Sequence, residues 1–437
     1  MSSNAVPTVR LRRPPKLNEW LQPPGSKSLT NRALLLAALA RGRCRLRGVL
    51  VAEDSRRMRS CLERLGVWVI EVDESTFDVE GRCGTFAAPS GSGPLFAGSA
   101  GTVGRFLTAV LAAAPGNTDT AIEVDAAPQM RERPMGQLLD ALRQQGAGIR
   151  CLGEDGRLPV EISAGSQLRG GEVVFSRPAS SQLISAMVLA ANFSQQPTRL
   201  VLREGTPSRP YVDMTLRVLE HFGGCARWDA ENENEIAIEP RVLAAREYLV
   251  EPDASSASYF LGLAAIHGGD VAIAGLGTGS AQGDTRFCEV LERMGASVDQ
   301  TSESTRVRGV GRLAGIDINL TDMPDMSLTL AVAALFAEGP TTIRGVEILR
   351  HHETDRLAAA AAELRKLGAT VEELTDGFHI EPPPNGPKSG VGIDTYDDHR
   401  MAMAFSMVGD VEIRNPGCVA KTFPGYFDRL AKLGMVR

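Results

Sequence analysis

Apolar residues along this chain return at two spacings, one helical and one strand-like, and the switch from the first to the second recurs six times. The six segments are Leu62-Glu-Arg-Leu-Gly66-Val-Trp-Val, Leu139-Asp-Ala-Leu-Arg-Gln-Gln-Gly146-Ala, Val218-Leu-Glu-His-Phe-Gly223-Gly-Cys, Val290-Leu-Glu-Arg-Met-Gly295-Ala-Ser-Val, Glu363-Leu-Arg-Lys-Leu-Gly368-Ala-Thr-Val and Leu430-Ala-Lys-Leu-Gly434-Met-Val. Each glycine stands where a helix C′ residue turns to positive φ, and the alternation after it predicts a strand. The glycines are 80, 77, 72, 73 and 66 residues apart. That is too long for a short-period solenoid and too uneven for a propeller. Helix–glycine–strand junctions occur in any α/β protein, but six at this spacing fit six copies of a small α/β unit, three per domain.

A boundary near residue 250 follows. Three junctions precede the turn-rich passage from Glu239-Pro240 to Glu251-Pro252-Asp253, and three follow it. A new helix opens at Ala254-Ser-Ser-Ala-Ser-Tyr259. At 437 residues the chain exceeds one ordinary core, in keeping with two domains. No low-complexity linker separates them, so short crossings would join them and could act as hinges.

Composition narrows the class. No apolar run approaches the roughly 18 residues that span a bilayer. The first twenty residues hold Arg10, Arg12 and Arg13 but no apolar stretch of a secretory signal. Seven scattered cysteines without a C-x-x-C pair argue against a disulfide framework or a zinc site, and for a reducing cytoplasm. A net charge of −6 excludes a general nucleic-acid footprint. An anionic ligand would need a local gathering of Lys and Arg.

Such gatherings stand before apolar helices. Pro24-Gly25-Ser26-Lys27-Ser28-Leu29-Thr30-Asn31-Arg32 runs directly into Ala33-Leu-Leu-Leu-Ala-Ala-Leu-Ala40. Two readings stand for it alone: a helix cap with solvated cations, or an anion site at a helix N-terminus. It is not a P-loop, because the glycine spacing is wrong. Ala100-Gly101-Thr102 with Arg105, Met130-Arg131-Glu132-Arg133-Pro134, Ala179-Ser180-Ser181-Gln182 and Pro207-Ser208-Arg209-Pro210-Tyr211 repeat the design. Of Arg131 and Arg133, one reads as a surface residue and the other as a ligand. Met323-Pro324-Asp325 puts a carboxylate in the first turn of a helix, where capping is the ordinary explanation. Arg350-His351-His352-Glu353-Thr354-Asp355-Arg356 is the densest ionisable run, but Arg356 replaces the second His of H-E-x-x-H, so no metal is expected there. Asp397-Asp398-His399-Arg400 and Ala420-Lys421-Thr422 add two cations. Together, Lys27, Arg32, Arg133, Arg356, Arg400 and Lys421 lie at expected helix mouths in both halves. If those helices run parallel, their positive ends meet in one interdomain cleft suited to two multiply charged anions.

These motifs resemble those of the 5-enolpyruvylshikimate-3-phosphate synthase family. The likeness is carried by Pro24-Gly-Ser-Lys-Ser28 with Asn31-Arg32, Ala100-Gly-Thr102 with Arg105, Glu132-Arg-Pro134, Ser180-Ser-Gln182 and Asp253-Ala-Ser-Ser-Ala-Ser-Tyr259. It continues through Gln282-Gly-Asp284, Pro324-Asp325, Glu353-Thr-Asp-Arg-Leu357, Asp398-His-Arg-Met-Ala-Met403 and Ala420-Lys-Thr-Phe-Pro424. The resemblance implies a two-domain inside-out α/β barrel with three βαβαββ repeats per domain. It places 26–250 in one domain, and 1–25 with 251–437 in the other. It implies enolpyruvyl transfer from phosphoenolpyruvate to the 5-hydroxyl of shikimate 3-phosphate, through a tetrahedral intermediate, by a cytoplasmic monomer without metal or organic cofactor. No nucleic-acid or membrane partner is expected.

By the same resemblance, Lys27, Ser28, Arg32, Ser180, Ser181, Gln182, Ser208, Asp325 and His352 bind shikimate 3-phosphate. Lys27, Gly101, Arg133, Gln182, Arg356, Arg400 and Lys421 bind phosphoenolpyruvate. Asp325 is the expected base, with Glu353 and Lys27 the expected acids. Three positions depart from the common pattern: Ile348, which carries no ligand role, His352 in place of Lys, and Phe106 in place of Pro. A charged His352 would make shikimate 3-phosphate affinity fall as pH rises through its pKa. The retained Gly101 implies inhibition by glyphosate. The sister family acting on UDP-N-acetylglucosamine is the nearest alternative, but it would need Lys-Asn at positions 27 and 28. A catalytically dead binding module would have lost Asp325, Glu353 or Lys27, and all three are present.

Overall fold

A computed structural model describes residues 6–114 and 120–437 of the chain. The chain divides into two compact units, Gly25–Val250, and Met1–Pro24 with Glu251–Arg437. All six junction glycines take positive φ, from +75° at Gly434 to +106° at Gly295. Five are followed by a strand and the sixth by the bridge of Val436 to Leu11.

The unit Gly25–Val250 contains three four-stranded sheets. Their strand orders are Glu247–Leu249, Arg41–Arg47, Thr76–Arg82, Trp68–Asp73; Leu95–Phe96, Ile122–Asp125, Val160–Ile162, Ile149–Cys151; and Gly171–Ser176, Thr198–Arg203, Glu235–Glu239, Cys225–Trp228. In each, the first pair is parallel and the next two pairs are antiparallel. A parallel pair needs a crossover, and helices Gly101–Ala113 and Ser181–Ala191 supply two of them.

The other unit follows the same scheme. One sheet orders Asn18–Leu21, Asp270–Ala274, Ser304–Arg308, Ser297–Gln300, and another Asp317–Asn319, Thr341–Arg344, Gly377–Glu381, Thr370–Leu374. A three-stranded sheet pairs Val391–Asp394 with Val411–Arg414 in parallel, and Thr8–Arg10 closes it antiparallel. The N-terminal segment therefore completes sheets of this unit. A short two-stranded ladder, Leu313–Ala314 with Ala337–Glu338, makes the whole a mixed α/β fold of many small mixed sheets.

Apolar pattern decides which helices lie inside. Helices Gly101–Ala113, Ser327–Ala334 and His399–Ser406 are buried along their full length, and Lys27–Leu39 is buried from Leu29 onward. Apart from a few polar residues, most of them in the first two turns, they are apolar or small all round, as a central position requires. Helices Glu53–Arg64 and Gly136–Gln144 keep one polar face. The motifs of Lys27, Gly101 and Arg400 thus stand in the first turns of inner helices. Among the described residues no helix is long and apolar enough to cross a membrane.

Candidate active site

In the unit Gly25–Val250, one buried arginine ties four helices together. Arg32 Nε donates to Thr215 Oγ1 at 2.8 Å, and Nη1 to the Ser28 carbonyl at 2.9 Å. Nη2 reaches Ser185 Oγ at 3.4 Å and the Tyr211 carbonyl at 3.1 Å. Its guanidinium carbon lies 5.0 Å from the centroid of the Phe106 ring. Arg32, Phe106, Ser185 and Thr215 are the fifth to seventh residues of their helices. At ~1.5 Å per residue, the four helix starts lie within about two turns of one point. Burial lowers the Arg32 pKa to about 10.

Those starts carry the other expected ligands. Gly25 makes the turn possible, since a Cβ there would sit 1.8 Å from the Gly48 carbonyl oxygen. Ser26 is the N-cap residue without a side-chain cap bond, so the helix is opened by the turn rather than by a serine cap. Lys27 Nζ lies 3.2 Å from Asp54 Oδ2. Gly101 begins its helix against a polar cluster: a Cβ would meet Gln182 Oε1 at 2.7 Å, Arg105 Nη1 at 3.0 Å and Arg133 Nη1 at 3.5 Å. Arg105 holds Gln182 at 2.7 Å and the Pro134 carbonyl at 3.2 Å, which joins the Arg133 turn to the Gly101 helix. Arg131 turns outward to Asp125 at 2.6 Å, whereas Arg133 is buried, which separates the two arginines of that turn. Ser180 caps its helix by accepting from the Gln182 amide, leaving Ser181 at the first position. Ser208, buried at the next helix start, adopts φ +49°.

The second unit gathers a denser cluster. Arg356 is 1% exposed and opens helix Arg356–Lys366. It donates from Nε to Asp398 at 2.7 Å, from Nη2 to Glu353 at 2.7 Å and from Nη1 to Asp325 at 2.9 Å. Arg400 Nη2 donates to the other Asp325 oxygen at 2.7 Å, and Lys421 Nζ to Glu353 Oε1 at 2.7 Å. Asp325 lies in a 3-10 turn, Pro324–Met326, that leads into helix Ser327–Ala334, and its carboxylate engages the arginines rather than only capping. Burial by itself would raise its pKa; Arg400 and Arg356 outweigh this and bring it to about 2. Burial likewise opposes the Arg356 charge, but Asp398, Glu353 and Asp325 prevail and raise its pKa.

His352 Nδ1 lies 2.9 Å from Arg356 Nη1 and 3.9 Å from Asp325. Guanidinium nitrogens only donate, so towards Arg356 Nδ1 can serve only as an acceptor. Asp325, by contrast, favours the charged ring, so the two neighbours pull the imidazole in opposite directions. Most of the expected ligands stand at helix starts or turns; Arg32 reaches across from within its helix. Three partners were not singled out as site residues by sequence reasoning: Arg105, Asp54 and Asp398. Arg105 was visible as the i+4 partner of Gly101, and Asp398 as the N-cap before Arg400.

Each cluster holds guanidinium groups beside hydroxyls or carboxylates, a chemistry suited to anionic ligands. The family model for EPSP synthase (3-phosphoshikimate 1-carboxyvinyltransferase) matches residues 11–430. A 3-phosphoshikimate 1-carboxyvinyltransferase of Serratia proteamaculans is 44% identical over 428 residues, covering 96% of this chain and 97% of that one. A Yersinia pseudotuberculosis counterpart is 44% identical over 432 residues, with the same coverage. The EPSP synthase structure from Acinetobacter baumannii superposes with a TM-score of 0.80 at 28% identity, over 98% of each chain. The enolpyruvyl transferase NikO of Streptomyces tendae, at 17% identity and a TM-score of 0.78 over 99% of each chain, shares the fold. A sequence matched almost end to end, carrying its buried arginines and carboxylates at inner helix starts, belongs to the EPSP synthase family.

Proposed function

We propose that this chain transfers the enolpyruvyl group of phosphoenolpyruvate to the 5-hydroxyl of shikimate 3-phosphate and releases phosphate. This is EPSP synthase activity in the shikimate pathway. The observation that carries the residue assignment is Asp325, held between Arg356 and Arg400 beside the Glu353–Lys421 pair. Arg356, Arg400 and Lys421 take the carboxylate and phosphate of phosphoenolpyruvate, with Lys27, Gly101, Arg133 and Gln182 completing the set. Ser28, Arg32, Ser180, Ser181, Gln182 and Ser208 take shikimate 3-phosphate, with His352 as a further polar contact.

The three cations of the second cluster face three carboxylates, Asp325, Glu353 and Asp398. An incoming substrate carboxylate competes with Asp325 for Arg400 and Arg356, which weakens the pairing that depresses the Asp325 pKa. Asp325 then accepts the 5-hydroxyl proton as the oxygen bonds to C2 of phosphoenolpyruvate. Glu353 or Lys27 protonates the methylene carbon, giving the tetrahedral intermediate. Loss of a proton from that carbon and cleavage of the C2–O bond to phosphate restore the double bond. The surrounding cations stabilise charge on the departing phosphate.

The fold reading that accompanies this function is an inside-out barrel of six βαβαββ copies. Its domains are 26–250, and 1–25 with 251–437, in a cytoplasmic monomer. The shared pairing scheme of the sheets and the six glycine junctions support it. A coupled phosphate-release assay tests the function: release is expected with shikimate 3-phosphate and none with UDP-N-acetylglucosamine. The reverse preference would assign the chain to the sister transferases.

A further inference from the structure

Glu363 is a carboxylate with no exposed surface, placed at the far end of the helix that Arg356 opens. The two residues are seven apart, so they share one helix face about two turns from each other. Both grip the same partner segment. Arg356 holds Asp398 through two hydrogen bonds, of 2.7 and 3.2 Å. Glu363 Oε1 accepts from the Tyr396 hydroxyl at 2.8 Å and from Lys366 Nζ at 2.8 Å, and Oε2 accepts from the Asp394 amide at 3.2 Å. A buried carboxylate is tolerated only with such partners.

The gripped segment is strained. Tyr396 and Asp397 have φ of +54° and +57°, two consecutive non-glycine residues in the left-handed region. Local bonds hold that conformation: Asn415 Nδ2 donates to Asp397 at 3.0 Å, Thr395 Oγ1 to the Arg414 carbonyl at 2.9 Å, and the Asp398 amide to the Thr395 carbonyl at 2.8 Å. The strained turn delivers Asp398, which caps the helix of Arg400. Moving the turn therefore moves Arg400 and loosens Arg356 together.

We propose that Tyr396 and Glu363 are positioning residues that set the geometry of the Arg356–Arg400 clamp through this turn. The inference rests on the reading that the two arginines bind phosphoenolpyruvate. Tyr396 is 42% exposed, so removing its hydroxyl leaves the core intact.

Steady-state constants for both substrates, with thermal unfolding, test the role in Tyr396→Phe, Glu363→Ala, Glu363→Gln and Arg400→Gln. Losing one hydrogen bond to a carboxylate predicts a KM for phosphoenolpyruvate about fivefold to tenfold higher in Tyr396→Phe. The KM for shikimate 3-phosphate should rise clearly less in the same variant, since Ser28, Arg32, Ser180, Ser181 and Ser208 stand in the other unit. Glu363→Gln keeps an acceptor for Tyr396 and should recover most of what Glu363→Ala loses. An unchanged KM for phosphoenolpyruvate in Tyr396→Phe, or equal rises for both substrates, would overturn the positioning role. If Arg400→Gln also leaves that KM unchanged, the clamp reading itself fails, which separates the two conclusions. Glu363→Ala is informative only if it folds, and Tyr396→Phe decides the matter without it.

Discussion

The guanidinium of Arg32 faces the ring of Phe106, 5.0 Å from its centroid, and every hydrogen-bond partner it is seen to engage is a neutral oxygen. A cation buried among hydroxyls, carbonyls and one aromatic face has no carboxylate to offset its desolvation. With a pKa lowered to about 10, the folded chain binds this proton less tightly than the unfolded one. Its destabilising effect is fully present at neutral pH and relaxes only as pH rises above about 10. Such an arginine is better explained by a ligand than by stability.

Arg32→Met should therefore separate folding from binding. Thr215 Oγ1 keeps Ser185 and the Tyr211 carbonyl at 2.9 and 3.0 Å, so few polar groups are orphaned. Urea unfolding should change by no more than about 1 kcal/mol, while shikimate 3-phosphate affinity falls by about a hundredfold or more. Phe106→Leu should cost about 1–2 kcal/mol of stability from lost packing and cation–π attraction. Its KM for shikimate 3-phosphate should rise more than its KM for phosphoenolpyruvate. A stability loss in Arg32→Met as large as in a core deletion would show the arginine to be structural.

Gly101→Ala tests the floor of the proposed phosphoenolpyruvate site. The new methyl would press on the Gln182 amide and the Arg105 guanidinium, both ends of flexible side chains. They yield without disturbing the helix, and Ala is the better helix former, so thermal unfolding should shift by only a few degrees. Displaced Gln182 and Arg105 should raise the KM for phosphoenolpyruvate by about tenfold. The unsubstituted enzyme, with its glycine, should be inhibited by glyphosate in competition with phosphoenolpyruvate. Full activity at millimolar glyphosate would refute that expectation.

Much of this arrangement was legible in the sequence because it depends on local rules. The six glycine junctions follow from helix termination, and the cations at helix mouths follow from the order turn, charge, apolar run. Pairings over long sequence separations were not legible. Nothing local says that Asp398 will be taken by Arg356, 42 positions away, or that Lys27 will find Asp54. Glu363 reads as one polar residue on an alanine-rich helix, and only the positive φ of Tyr396 reveals why it is buried. His352 shows the same limit, since spacing alone does not orient the arginine donor beside it.

That donor makes its own prediction. Protonating Nδ1 would cost His352 its contact with Arg356, so lowering the pH rather than raising it should disturb that contact. The dissociation constant of shikimate 3-phosphate should be flat between about pH 7 and 8.5, where a phosphate monoester is already dianionic. His352→Gln, which preserves an acceptor, should follow the same flat course. A loss of affinity across that range in the native enzyme but not in the variant would restore the charged imidazole.

Asp325 offers the sharpest link between stability and chemistry. Its pKa of about 2 lies below the ordinary 3.8 because Arg400 and Arg356 more than offset its burial. A depressed carboxylate stabilises the fold above the unfolded-state pKa and loses that contribution as pH falls through the folded value. The window is therefore about pH 4 down to 2, and the shift corresponds to about 2 kcal/mol. Asp325→Asn should lack this term, so the stability gap between native and variant should widen from pH 3 to pH 5 and then level off. The same substitution removes the proposed base and should lower kcat by about a hundredfold to ten-thousandfold. Substrate binding should suffer far less, since Arg356 keeps Asp398 and Glu353 as partners. A variant with near-native turnover would remove Asp325 from the proton-transfer step, whatever its effect on the acid limb of stability.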